Sequence, residues 1–357
     1  MVEVIAAEYR QMEEAEVKER LRQRKRELGR HLLILGHHYQ RQEVIDFVDF
    51  RGDSFGLCQE AAEHKECRFI VFCGVHFMAE SADILAADGQ VVQHPDPEAG
   101  CPLASMAEMA QVIEAWEKAE AICGKDTILP LTYMNSEAAL KAFCGRNGGS
   151  VCTSSNAPKA FKWALSKRKH VFFFPDENLG KNTARRMGIS SDELFTWDPS
   201  SQLEPDETGE ETLRKSKIML WKGFCHVHTQ FHVDHVQAVR MGSPNARIVV
   251  HPECTEEVVA LSDANGSTEF ICKYVNESPP GSLVYVGTEY NLVTRLARDN
   301  PDKRVYELAR SQCPNMYRID LPKLLWTLDH AGAVNVVRVD PRIKEDARVA
   351  LKRMLTL

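Results

Sequence analysis

The chain runs through one pattern three times, and this internal repeat limits its fold more than any other feature. In the first pass the apolar run HLLILG (31–36) ends in His37, His38 and Tyr39. Ser54, in Gly-Asp-Ser, follows 17 residues past His37, RFIVFCGV reaches His76 after 22 more, and Cys101 comes 25 beyond that. In the second pass TILPLT (127–132) ends in Tyr133 and Asn135, with Ser154 21 residues past Tyr133. HVFFFP then reaches Asp176, 22 past Ser154, and KIMLW leads to Cys225. In the third, RIVV (247–250) ends in His251 and Glu253, Thr268 follows 17 past His251, SLVYVG reaches Thr288 after 20 more, and Cys313 comes 25 later. One interval is out of step: Asp176 to Cys225 spans 49 residues instead of 25. The surplus lies in 190–216, whose polar, acidic, Pro- and Gly-punctuated composition reads as an inserted, solvated surface loop.

Each pass reads as strands rich in Val, Ile and Phe alternating with helical runs. That alternation implies parallel sheets covered by helices. The expected class is α/β: three αβα modules with parallel sheets around a pseudo-threefold axis, and the active site at the centre. The expected organisation is an N-terminal helical segment (1–29), module 1 (30–120), module 2 (121–243, with the insert 190–216), module 3 (244–335) and a C-terminal segment (336–357). The charged N-terminal stretch reads as an exposed helix with i,i+4 ion pairs.

Composition narrows the function. A net charge of −7 argues against a nucleic-acid or membrane-surface role, both of which need a positive field. The N-terminus has no signal-like apolar region, and no run reaches 18 apolar residues, so no membrane span is expected. Eleven cysteines, an odd number with no CxxC pair, argue against a disulfide framework, a zinc ribbon or a ferredoxin motif and suit a reducing cytoplasm.

Taken singly, each cysteine is better read as a buried core residue. Equivalence across three passes overturns this for Cys101, Cys225 and Cys313. Three thiolates can hold three irons of a cubane and leave the fourth open to substrate as a Lewis acid. Ser54, Ser154 and Thr268 each precede a helical run, where hydroxyls cap helices and helix N-termini bind carboxylate or phosphate. His37, Tyr39, Tyr133, Asn135, His251 and Glu253 form a set of strand-end acid–base groups. Glu253 is the only carboxylate in that set and the candidate general base; Tyr39 and the histidines are candidate proton donors. Cys254 has no counterpart in the other passes, and the remaining cysteines read as small core residues. His226 and His228 read equally as structural or as supporting groups.

The motifs GHHYQ (36–40), GDS (52–54), VHFMAESADIL (75–85), EAGC (98–101), TYMNS (132–136), TSSNA (153–157), GFCHVH (223–228), VHPEC (250–254), GST (266–268), VGTEYNL (286–292) and NMYRIDLPKLLWTLD (315–329) together resemble the quinolinate synthase family of NAD biosynthesis over roughly 30–335. The resemblance implies a [4Fe-4S] cluster on Cys101, Cys225 and Cys313. It implies condensation of iminosuccinate (iminoaspartate) with dihydroxyacetone phosphate to quinolinate, with loss of phosphate and water. The implied substrate-binding residues are His37, Ser54, Tyr133, Asn135, Ser154, His251, Glu253 and Thr268, with Tyr39 catalytic. An aspartate oxidase or dehydrogenase is the implied supplier of iminosuccinate. The acidic insert departs from the family in length, and Cys313 stands without the neighbouring cysteines of some relatives. Competing readings are another three-cysteine, open-iron enzyme (isoprenoid-reductase-like or diphthamide-synthesis-like) and a non-catalytic, zinc-stabilised binding protein.

Overall fold

The structure is a computed structural model that describes residues 5–201 and 207–357. Its architecture is α/β, built on three mostly parallel sheets. In the first, β1 (Leu32–His37) lies between β2 (Phe50–Gly52) and β3 (Phe69–Cys73), with β4 (Val91–Gln93) beyond β3. In the second, β5 (Ile128–Tyr133) lies between β6 (Ser150–Cys152) and β7 (His170–Phe174). There β8 (Leu194–Trp197) forms the edge, and β9 (Ile218–Trp221) sits between it and β7. In the third, β10 (Arg247–Val250) lies between β11 (Ala264–Asn265) and β12 (Leu283–Gly287), with β13 (Arg304–Glu307) beyond β12. One pair runs antiparallel: β14 (Val336–Val337) closes the first sheet against β4.

The central strands β1, β5 and β7 are buried along their whole length, as expected of strands with helices on both faces. In every sheet the chain leaves the first strand for a neighbour on one side, then returns to the other side for the third. Strand order therefore reverses beside the first strand. In open parallel sheets, the crevice at the carboxyl end of such a switch point is where ligands bind. One apolar core joins residues of all three sheets, among them Leu35, Leu131 and Val286.

The short strands β2, β6 and β11 did not stand out in the sequence, since two or three residues are too few for a periodic signal. The insert differs from expectation. Among its described residues, 194–197 form β8, parallel to β9, and Glu207–Lys215 form a helix with Leu213 fully buried. Arg214 and Lys215 pair with Glu210 and Glu211 one turn back, so the acidic composition belongs to a helix surface. Residues 202–206 lie outside the described residues.

The N-terminal helix Glu14–Leu28 carries the expected Glu14–Lys18 pair, but it is also docked. Val17 and Leu21 are buried against Leu324 and Leu325 of the helix Leu321–Asp329. Arg20 Nη2 lies 2.7 Å from Asp329 Oδ2, and the Tyr9 hydroxyl donates to the same oxygen. The C-terminal helix Pro341–Thr356 packs on the helix Ala138–Arg146. Gly145 permits this approach, because a Cβ there would collide with the Asp346 carbonyl. No helix among the described residues is long and apolar enough to cross a membrane.

Candidate active site

Register brings the three passes to one level. His37 pairs with Gly52 and Tyr133 with Cys152, while Val250 pairs with Asn265 one step before His251. Ser54, Ser154 and Thr268 each lie two residues beyond the position opposite those strand-end side chains. One cavity results, lined by His37, Tyr39, Ser54, Cys101, Tyr133, Asn135, Ser154, Cys225, His251, Glu253, Thr268 and Cys313. All twelve residues singled out in the sequence thus meet there.

The hydroxyls of Ser54 and Thr268 differ from expectation in one respect, because the residues before them do the capping. Asp53 Oδ1 accepts from Gly56 N at 2.8 Å, and Ser267 Oγ accepts from Phe270 N at 3.3 Å. Ser54 and Thr268 are the first residues of their helices, and Ser154 lies three residues before Ala157. Since a cap residue already satisfies a helix N–H, the Ser54 and Thr268 hydroxyls are spared that task. The Ser155 hydroxyl hydrogen-bonds Asp53, which ties the loop after β6 of the second sheet to the loop after β2 of the first.

Each of the three cysteines stands just before a short 3-10 turn: Pro102–Ser105, His228–Gln230 and Met316–Arg318. Ala104 N and His228 N close these turns on the carbonyls of Cys101 and Cys225, and the backbone N–H groups beside each sulfur favour its thiolate. Burial pushes the thiol of Cys101 up to about 12 and that of Cys313 to about 11, and moves Cys225 well upward. The N–H groups oppose that rise, as donors aimed at a thiolate should. Gly223 is required beside this turn, because a Cβ there would collide with the Pro175 carbonyl. All eleven cysteines are free thiols. Soft thiolates, one after a strand of each sheet, with backbone N–H groups beside each sulfur, fit an iron–sulfur cluster. Cys254 points elsewhere, with its sulfur 3.8 Å from the Gly287 carbonyl.

The imidazoles are set by their backbone. Tyr39 N donates to His37 Nδ1 at 3.2 Å, and Glu253 N donates to His251 Nδ1 at 3.3 Å. A neutral ring that accepts at Nδ1 carries its proton on Nε2. Burial is the largest cause holding both neutral, with the pKa of His251 near 3 and that of His37 well below the ordinary range. Burial raises the Glu253 pKa, but the imidazoles of His228 and His251 and the Tyr133 hydroxyl beside it outweigh burial and bring it below the ordinary carboxylate value. Asp176 moves the other way, its pKa pushed well up by burial and then by the charge of Glu253.

Sequence reasoning left His228 open and did not place Thr288 in the site. His228 is buried, with Nδ1 2.6 Å from Glu253 Oε2 and its ring stacked on His251 at 4.3 Å. Its Nε2 lies 3.3 Å from the Tyr39 hydroxyl and 3.1 Å from Thr288 Oγ1. The repeat could not reveal it, because the residues three past Cys101 and Cys313 are Ala104 and Met316. Thr288 carried a signal, as the third-pass counterpart of His76 and Asp176.

Comparison with known proteins gives a consistent result. The sequence model of a family described as quinolinate synthetase A protein matches residues 19–356. A quinolinate synthase of Halalkalibacterium halodurans is 48% identical over 353 residues, covering 97% of this chain and 95% of that protein. One from a Geobacillus species is 48% identical over 354 residues (98% and 95%), and one from Bacillus anthracis is 47% identical over 353 residues (97% and 95%).

Proposed function

This chain belongs to the quinolinate synthetase A family and its activity is quinolinate synthesis; we propose that it condenses iminosuccinate with dihydroxyacetone phosphate, as a transferase, with a [4Fe-4S] cluster on Cys101, Cys225 and Cys313. The products are quinolinate, one phosphate and two waters. The observation that carries this reading is the convergence of one cysteine, one hydroxyl and a strand-end pair from each sheet on a single cavity.

When bound, the cluster supplies Lewis-acid chemistry at the iron that no cysteine holds. The remaining work falls to side chains. Ser54, Ser154 and Thr268, beside helix N-termini, bind carboxylate or phosphate oxygens. Tyr133 and Asn135 orient the carbon skeleton. His37 and His251, neutral and protonated on Nε2, donate hydrogen bonds to substrate oxygens. Glu253, buried and ionised, removes protons in enolisation and in the dehydrations that make the ring aromatic. Tyr39 completes the proton-handling set. The buried thiols suit a reducing cytoplasm, with an aspartate oxidase or dehydrogenase supplying iminosuccinate.

One observation favours a second reading. Ligand atoms of Cys225, His228 and Glu253 lie within 4.8 Å of one another and could hold zinc. That site would leave Cys101 and Cys313 without a task. Anaerobic purification followed by iron, sulfide and zinc analysis separates the readings. Four irons, four sulfides and quinolinate formation from the two substrates are expected, with all of these lost in Cys101→Ala, Cys225→Ala and Cys313→Ala. A colourless protein with one zinc, or an alanine variant keeping four irons, overturns the assignment.

A further inference from the structure

A second group of metal-ligating side chains lies at the opposite end of the first sheet from the cavity. The helix Ser54–Glu63 begins at the cavity hydroxyl Ser54 and ends in a tight turn, after which β3 starts at Phe69. That turn carries His64, Glu66 and Cys67, and one ligand atom from each lies within 4.8 Å of the others. Cys67 is buried, His64 half-buried and Glu66 exposed, so the group opens from the core to the surface. The turn is firmly held. Gln90 Nε2 donates to the carbonyls of His64 at 2.8 Å and Cys67 at 2.7 Å, while Gln90 Oε1 accepts from Ala87 N. Cys67 N closes the turn on His64 O at 3.3 Å. One amide thus fixes both ends of the segment that carries all three donors.

Charge separates two uses of this group. His64 Nδ1 lies 2.8 Å from Glu66 Oε1, and Nε2 lies 3.2 Å from Glu60 Oε2. A surface ion pair accounts for the ring and one carboxylate. It leaves the second carboxylate unneutralised, because no lysine or arginine among the described residues pairs with Glu60 or Glu66. It also gives the Cys67 sulfur, beside the same ring, no task. A divalent ion neutralises both carboxylates and uses every donor. Thiolate, imidazole and carboxylate together are the ligand types of zinc, whose ligand atoms sit about 3.5 Å apart in a tetrahedron. Small side-chain rotations reach that spacing from the one observed. Glu60 then occupies the place of the carboxylate that metal-bound imidazoles bond through their other nitrogen, which orients the ring and strengthens it as a ligand. We propose that Cys67 Sγ, His64 Nδ1 and the Glu66 carboxylate bind one zinc ion, with water in the fourth position and Glu60 as the partner that orients His64. This site goes beyond the proposed function and does not rest on it.

The test uses the full chain carrying Cys101→Ala, Cys225→Ala and Cys313→Ala together, so that neither a cluster nor zinc at the cavity contributes. Titrated with zinc, this protein should bind one equivalent with Kd below about 1 µM. Cobalt in place of zinc should give a thiolate charge-transfer band that Cys67→Ser abolishes. His64→Gln and Glu66→Gln should each weaken zinc binding at least about tenfold, and Glu60→Gln about tenfold. These three replace half-buried or exposed side chains, so the fold survives them. In wild-type enzyme with its cluster in place, X-ray absorption at the zinc edge should show one sulfur neighbour. No zinc bound at that affinity, a cobalt adduct without the thiolate band, a zinc edge without sulfur, or full affinity kept in His64→Gln each overturns the proposal. None of these readouts involves quinolinate, so failure of the functional reading and failure of this site are told apart.

Discussion

Lys141 offers a test of how the interior of this protein balances stability against positioning. Its side chain is fully buried, its ammonium donates to the Ser136 carbonyl, and it lies 5.4 Å from the centre of the Phe77 ring. Burial lowers its pKa from 10.5 to about 8, although Glu80 and Glu137 pull the other way. The unfolded chain therefore binds this proton more tightly than the folded one. From 10.5 to about 8, at about 1.4 kcal/mol per pH unit, the penalty is about 3 kcal/mol at neutral pH. The sign follows: a folded pKa below the unfolded one destabilises the protein below pH 8, and the penalty fades as pH rises through 8 toward 10.5. Lys141→Met removes this dependence. Wild type should gain about 2 to 3 kcal/mol on the variant between pH 7 and pH 10, read from denaturant midpoints of the cluster-free proteins in parallel. The variant should also lose about tenfold in kcat/KM, because the Ser136 carbonyl that Lys141 holds adjoins Asn135. Parallel stability curves for the two proteins across that range would refute the reasoning.

Other perturbations separate the parts of the site. Glu253→Gln should keep a four-iron cluster, by metal analysis, and lose about 10²–10⁴-fold in quinolinate formation, the usual worth of a positioned base; undiminished turnover removes Glu253 from the chemistry. Gly223→Ala should impair cluster loading on reconstitution, since its Cβ collides with the Pro175 carbonyl beside the Cys225 turn; full iron content contradicts this. Leu213→Asp should lower the unfolding free energy by about 3 kcal/mol, read as a lower denaturant midpoint, because it buries an unpaired charge where Leu213 is fully enclosed. An unchanged midpoint would return that part of the insert to a solvated loop.

The repeat could be read from the chain because parallel strands buried on both faces must be apolar throughout. Runs such as LLILGH and HVFFF therefore announce themselves, and the residue after each run inherits a place at the strand's carboxyl end. Equivalent spacing then marked Cys101, Cys225 and Cys313 among eleven cysteines, although they lie 124 and 88 residues apart. The insert was less legible, since a charged surface on a helix and a charged loop have the same composition, and only the burial of Leu213 separates them.

What the sequence determined by itself is the periodic part: the α/β class, the threefold pattern and the level at which each cavity residue emerges. Local spacing encodes these directly. The tertiary structure alone decided which residues from different modules touch. Tyr39 comes from the first sheet, His228 from the turn after the second, and Glu253 and Thr288 from the third, yet they meet in one buried polar cluster. His228 has Ala104 and Met316 as its counterparts, so no repeat could mark it. Its place depends on distances between the three sheets, and those are set by how the sheets pack on the core they share.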